Sequence, residues 1–289
     1  MICEHGGEMY AVGSPSGHLY RYDGGLTWTD LGQIGSAAIC RAMVSFGGEL
    51  WLATNTTVAA DGTSKVYSYD GATFTDHGNP GTHIVEALGV YDGDLYAGSD
   101  LLYKYTAPNT WADLGMPASS YPEPLIEYDG KLYTVRTTAG PDTELYSWDG
   151  ASLVMEAAIP GAAWVDAFAE LNSLLYMGAG DSGLIYTWDG VTLSLVATIS
   201  EHVDGMAVWS GILFAGTWDN ASLYATLDGT NFTKSGEFVT GSAVYELAVA
   251  GGRVFAGVTD GHVYFYEPGR PMWQASPLGQ MGRHFVVGV

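Results

Sequence analysis

Seven positions recur at spacings of about forty residues, and six of them are charged: Arg41, Glu86, Glu123, Asp166, Asp204, Tyr245 and Arg283. Carboxylates brought together in a confined space raise the cost of each other's charge until a cation, a donor or an arginine compensates it. Gathered at one mouth, these groups could bind a cation or a polar ligand. Glu86, Glu123, Asp166 and Asp204 could also serve a hydrolase or lyase as acid and base. The plainer alternative is a solvated pore with arginine–carboxylate pairs between neighbouring elements. Trp164 and Trp218 add a second kind of chemistry, because an exposed indole can stack on a sugar ring.

Other constellations are sparse. The chain has no His-x-x-x-His, Cys-x-x-Cys, Gly-x-Ser-x-Gly or phosphate-binding glycine loop. His5, His18, His77, His83, His202, His262 and His284 fall on different loops and strands, so the sequence predicts neither a metal nor a cofactor. Asp-rich stretches such as Ala60-Asp61-Gly62 lack the alternating oxygen ligands of a calcium loop and read as turns. Cys3 and Cys40 are too few for a disulfide framework and read as small buried side chains; a pair between adjacent blades stays open as the alternative.

A net charge of −22 repels phosphate backbones, which excludes DNA, RNA and anionic membranes as partners. The opening residues, Met1-Ile2-Cys3-Glu4-His5-Gly6-Gly7, carry no basic or apolar leader, and no stretch is long and apolar enough to span a membrane. The expectation is a protein of the virion, or otherwise of the cytoplasm, without membrane insertion.

The elements that must position these residues are legible as repeats. Aromatic-Ala-Gly recurs as Tyr96-Ala97-Gly98, Phe214-Ala215-Gly216 and Phe255-Ala256-Gly257, and the aromatic itself recurs as Tyr10, Trp51, Tyr133 and Tyr176. A second aromatic follows in every copy: Tyr20, Tyr67, Tyr103, Tyr146, Tyr186, Tyr224 and Tyr264. Each copy resolves into four strand-length runs, the first apolar on both faces, as in Ala87-Leu88-Gly89-Val90-Tyr91. Two-residue turns such as Gly6-Gly7, Asp92-Gly93 and Asn172-Ser173 join the first and second runs, and Asp-Gly turns join the third and fourth.

Four antiparallel strands per unit and seven units predict an all-β, seven-bladed β-propeller, one domain over 1–289. The regular aromatics read as packing between blades, with a sugar platform as the competing reading. Ring closure is expected from pairing of the terminal segments, and either Met1 to His5 or the run from Arg283 to Val289 could take the inner place of blade one. Connections between blades, with His83, Tyr121, Trp164 and His202, share the face on which loop length varies, the place where binding sites arise on a rigid scaffold.

Asp23-Gly24-Gly25-Leu26-Thr27-Trp28 resembles the Asp-box hairpin of sialidases and other propellers, with Arg21 where that motif has serine. Sialidase activity is not expected, since the family's arginine triad and N-terminal Arg-Ile-Pro segment are absent. Across its length the chain resembles WD-repeat-like and kelch-like propellers, especially the Leu-Tyr-Ala-Gly repeat proteins found among tailed-virus structural components, although neither the kelch double glycine nor the WD ending is cleanly kept. The resemblance implies a non-enzymatic protein- or glycan-interaction module. A tail or capsid appendage that meets other virion proteins or host-surface glycans or proteins is the favoured form; a propeller lectin and a hydrolase or lyase at the acidic mouth are the alternatives.

Overall fold

A computed structural model describes residues 1–56, 62–117, 121–137, 142–180, 183–218, 220–238, 242–266 and 273–278. Its strands form seven four-stranded antiparallel sheets, each built from four consecutive strands in chain order. Blade 1 spans 2–33, blade 2 39–76, blade 3 87–113, blade 4 126–159, blade 5 165–198, blade 6 203–237 and blade 7 244–277. There is no helix among the described residues. The fold is the seven-bladed β-propeller that the repeats predict.

Turn chemistry explains why each blade begins as a hairpin. All seven connections between first and second strands have positive φ at both central residues, from Gly6 and Gly7 at 61° and 86° to Asn172 and Ser173 at 53° and 59°. That is the type I′ geometry, whose twist matches that of the flanking strands. Asn and Ser accept it in blade 5 where the other copies supply at least one glycine.

Packing explains the aromatics. Tyr10, Trp51, Tyr96, Tyr133, Tyr176, Phe214 and Phe255 on the second strands are all buried, as are the third-strand tyrosines apart from the half-buried Tyr224. Several of these tyrosines donate to a carboxylate: the buried Tyr103 to Asp100 at 3.0 Å and Tyr264 to Asp260 at 2.9 Å, and the half-buried Tyr224 to Glu201 at 3.0 Å. A hydroxyl withdrawn from water needs such a partner.

Two compact units make up the chain, one of Met1–Ala11, Tyr20–Leu31 and Asp166–Val289, the other of Val12–Leu19 and Gly32–Val165. In the first, blade 5 packs on blade 6 through Tyr176, Ile185, Val203 and Met206, and blade 6 on blade 7 through Phe214, Leu223, Val244 and Val254. Blade 7 packs on blade 1 through Phe255, Val263, Ile2 and Met9. In the second, blades 2 and 3 share Trp51, Val66, Leu88 and Leu95, and blades 3 and 4 share Tyr96, Leu102, Leu132 and Tyr146. Fourth-strand tryptophans reach backward across two of these faces: Trp28 donates to Ser276 Oγ at 2.8 Å and Trp111 to the His77 carbonyl at 3.1 Å.

Three of the glycines two residues after the second-strand aromatic have a steric reason. A Cβ at Gly98 would overlap the carbonyl oxygen of Pro122, and at Gly178 and Gly216 it would overlap the γ-methyls of Val203 and Val244. In each case the intruder belongs to the start of the next blade, so the missing side chain is what lets two blades close on each other.

At the chain's start, Ile2–His5 forms the first strand of blade 1, paired with Glu8–Val12. The segment 283–289, the other candidate for ring closure, lies outside the described residues, and blade 7 has four strands of its own without it. Cys3 and Cys40 are not joined in a disulfide, and Cys40 is buried.

Two strand glycines separate close approach from ordinary contact. Gly98→Ala is expected to destabilise the protein by about 1–3 kcal/mol, because a backbone oxygen must move. Gly257→Ala, whose nearest neighbour would be Ile2 Cγ2 at 3.6 Å, is expected to be close to neutral. Denaturant melts of the two variants check this; equal losses would contradict it.

Candidate functional site

Three of the seven aligned positions sit at a backbone irregularity. Where the first strand opens, pairing passes from Cys40↔Thr54 to Ala42↔Ala53, from Val203↔Thr217 to Gly205↔Gly216, and from Val244↔Val258 to Glu246↔Gly257. Arg41, Asp204 and Tyr245 are the extra residues of these three bulges. Glu86 holds the same place in blade 3, immediately before the Ala87↔Gly98 pair, with its N–H bonded to the Gly98 carbonyl at 2.9 Å. A bulge leaves its residue outside the ladder and re-aims the side chain, which is why bulges gather beside binding sites.

Within the unit of blades 2 to 4, the outcome is an ion pair. Arg41 Nε lies 3.7 Å from Glu86 Oε2. Burial pushes the Glu86 carboxyl above its usual range, and the guanidinium offsets part of that rise. Glu123 is half-buried ahead of Pro124, and Trp164 is half-buried on the connection into blade 5. Arg283 lies outside the described residues.

Within the other unit the positions converge. Asp166 opens the first strand of blade 5, Val165–Leu171, and Asp204 sits at the bulge of the first strand of blade 6, Val203–Trp209. His202, two residues before Asp204, places Nε2 2.7 Å from Asp166 Oδ2 and 3.0 Å from Asp204 Oδ1. These three ligand-type atoms lie within 4.8 Å of one another, and among the described residues this is the one such cluster of His, Cys, Asp or Glu. Burial works against an imidazolium here, but the hydrogen bonds and charges of Asp166 and Asp204 prevail and push the ring up to about 10.

An aromatic wall adjoins the cluster. Trp218, whose N–H binds the His202 carbonyl at 2.9 Å, has its indole 6.0 Å from the His202 ring, and Tyr245 meets that indole edge-on at 5.1 Å. Both aromatics are 41% exposed, unlike the buried rings of the repeat. Carboxylates, an imidazolium and two accessible aromatic faces therefore occupy one patch on blades 5 to 7. Of the aligned positions, the structure gathers Asp166, Asp204 and Tyr245 around Trp218; it pairs Arg41 with Glu86 in the other unit.

His202 lies on the connecting face that the sequence singles out, but its convergence with Asp166 and Asp204 is not legible there. The signal for that convergence was the place of His202 two residues ahead of an aligned acid, obscured by the scatter of seven histidines. A second contact that looks chemical is structural: Ser68 Oγ lies 2.9 Å from His77 Nε2, yet His77 is 8% exposed, stacked on Trp51 at 4.2 Å and bonded to Tyr105 at 3.1 Å. No substrate reaches it there.

Neither a family model nor a curated protein sequence matches the chain. Solved structures do. Virginiamycin B lyase from Staphylococcus aureus is 11% identical with a TM-score of 0.73, over 91% of this chain and 89% of the lyase. The WD40 β-propeller domain of Doa1 is 14% identical with a TM-score of 0.68, over 91% and 90%. The extracellular domain of the B. thetaiotaomicron one-component system BT4673 is 14% identical with a TM-score of 0.67; 99% of this chain spans 45% of that one. At such identities the likeness shows the propeller fold and nothing finer.

The two histidines carry opposite pH signatures. His202 is raised above its usual 6.5, so its contribution is fully present below that value and is lost as pH climbs towards about 10. His77 is lowered by burial, so its contribution is present above 6.5 and is lost as pH falls through the depressed value. Thermal melts in chelator from pH 5 to 10 are expected to lose their alkaline slope in His202→Gln and part of their acid slope in His77→Gln. Unchanged slopes would contradict the assignment.

Proposed function

We propose that the chain is a non-enzymatic recognition module that binds a glycan at the Asp166–His202–Asp204 patch. The observation that carries this reading is the pair of exposed aromatic faces, Trp218 and Tyr245, set beside ring and carboxylate groups that can accept and donate hydrogen bonds. Sugars offer that combination in reverse, apolar C–H faces rimmed by hydroxyls. The fold shared with a WD40 domain supports an interaction role in general. A virion appendage that meets host glycans is the setting that the acidic composition, with 10 Lys+Arg against 32 Asp+Glu, and the repeat resemblance favour.

Acid–base lyase chemistry is the second reading, favoured by the fold shared with virginiamycin B lyase. The electrostatics weigh against it in the metal-free protein: with the ring at about 10, His202 holds its proton at neutral pH and cannot take one from a substrate.

A glycan array read with labelled protein tests the proposal. Binding to a defined set of glycans is expected, with Trp218→Ala weakening it by about thirtyfold, as loss of a central aromatic contact of about 2 kcal/mol implies. An array without binders, or binding untouched by Trp218→Ala, would remove it, and consumption of virginiamycin B by the chain would favour the lyase.

A further inference from the structure

The His202 cluster has a geometry that hydrogen bonding alone serves poorly. One ring nitrogen, Nε2, faces two carboxylate oxygens, Asp166 Oδ2 at 2.7 Å and Asp204 Oδ1 at 3.0 Å. An Nε2–H lies in the ring plane on a fixed bisector, so it can be linear to at most one of those oxygens and must meet the other at an angle. Two anions and a nitrogen converging on one point is instead the layout of a coordination shell. Each ligand has its own anchor: Asp166 at the start of a strand in blade 5, Asp204 on the bulge of blade 6, and His202 in the connection whose carbonyl is held by the Trp218 N–H. Val203, between the two blade 6 ligands, is buried in the core that joins blades 5 and 6, which fixes their separation.

The neighbouring charge is already committed elsewhere. Glu201, adjacent to His202, accepts from Thr217 at 2.7 Å and Tyr224 at 3.0 Å and faces Lys234 at 3.6 Å. Glu246, adjacent to Tyr245, accepts from the Ile2 N–H at 2.8 Å. The three-residue cluster therefore stands as a distinct unit within the acidic surface.

We propose that Asp166, His202 and Asp204 form a binding site for a first-row divalent metal ion, with open coordination positions towards Trp218. One imidazole with two carboxylates suits Zn2+ or Mn2+, which take mixed nitrogen and oxygen ligands, over Ca2+ and Mg2+, which prefer oxygen alone. Three protein ligands leave positions for water or an exogenous oxygen donor, the arrangement of metal sites that meet a ligand. On binding, the ring sheds the Nε2 proton to solvent and the nitrogen lone pair takes its place on the metal. The proposal concerns the floor of the patch and holds whether or not the ligand above it is a glycan.

Calorimetric titration of the chelator-treated full chain with ZnCl2, without any sugar, tests it. Saturable binding of one ion per chain is expected, weakened about tenfold or more by Asp166→Asn and by His202→Gln, and unchanged by His262→Gln, which alters another His–Asp contact at 3.1 Å. Co2+ in place of Zn2+ is expected to give the visible absorption of a low-coordinate nitrogen–oxygen site in the unaltered chain, which keeps the test independent of how the variants fold. Absence of saturable binding and of the Co2+ band, or binding equally strong in Asp166→Asn and His202→Gln, would overturn the proposal. Metal binding with a blank glycan array would leave the site standing and remove the glycan reading alone.

Discussion

The structure depends on how closely one blade can approach the next. At Gly98, Gly178 and Gly216 the following blade's opening residues occupy the volume that a Cβ would need. Once the backbones are that close, the aromatic two positions earlier on the same strand, Tyr96, Tyr176 or Phe214, is sealed from water on both faces. Burying a ring of 150–250 Å2 contributes roughly 4–6 kcal/mol gross, an upper figure because the unfolded chain already covers part of it. Small residue and large residue thus act together: the glycine admits the neighbour, and the aromatic gains from its arrival.

The same packing accounts for much of the acidic charge. Buried phenols such as Tyr103 and Tyr264 require acceptors, and Asp100 and Asp260 supply them. Other aspartates hold the outer hairpins: Asp70 Oδ1 accepts from the N–H groups of Ala72 and Thr73 at 2.8 and 2.7 Å, and Asp149, Asp189 and Asp228 repeat the pattern. These bonds favour the ionised form, so the carboxylates of these turns are held below their usual range. A charge of −22 is therefore compatible with a folded chain because many of the acids serve backbone and phenol donors.

The fold was legible because its constraints are local and repeated. Paired turn residues announce the hairpins, and Tyr10 through Phe255 recur at fixed offsets because each must fill an equivalent gap. Alignment also found the positions of Arg41, Asp204 and Tyr245, since a bulge shifts the register of these three copies in the same way. What those positions do was not legible. Whether an acid meets an arginine, as Glu86 does, or a histidine, as Asp166 and Asp204 do, is decided by a side chain in a connection that follows no repeat. Trp218 was legible as an exposed indole, but the half-buried Trp164 shows that exposure itself is decided by the neighbouring chain and not by residue type.

Hydrogen exchange resolved to individual strands tests the account most directly, because it reads the packing of every blade in one experiment. If each blade is held by the buried aromatic of its second strand, these strands, from Glu8–Val12 to Arg253–Val258, exchange last in all seven blades. The more exposed fourth strands, such as Leu193–Thr198, exchange well before them. A blade whose second strand exchanges as fast as its fourth would contradict the claim that the buried aromatic of the second strand holds each blade.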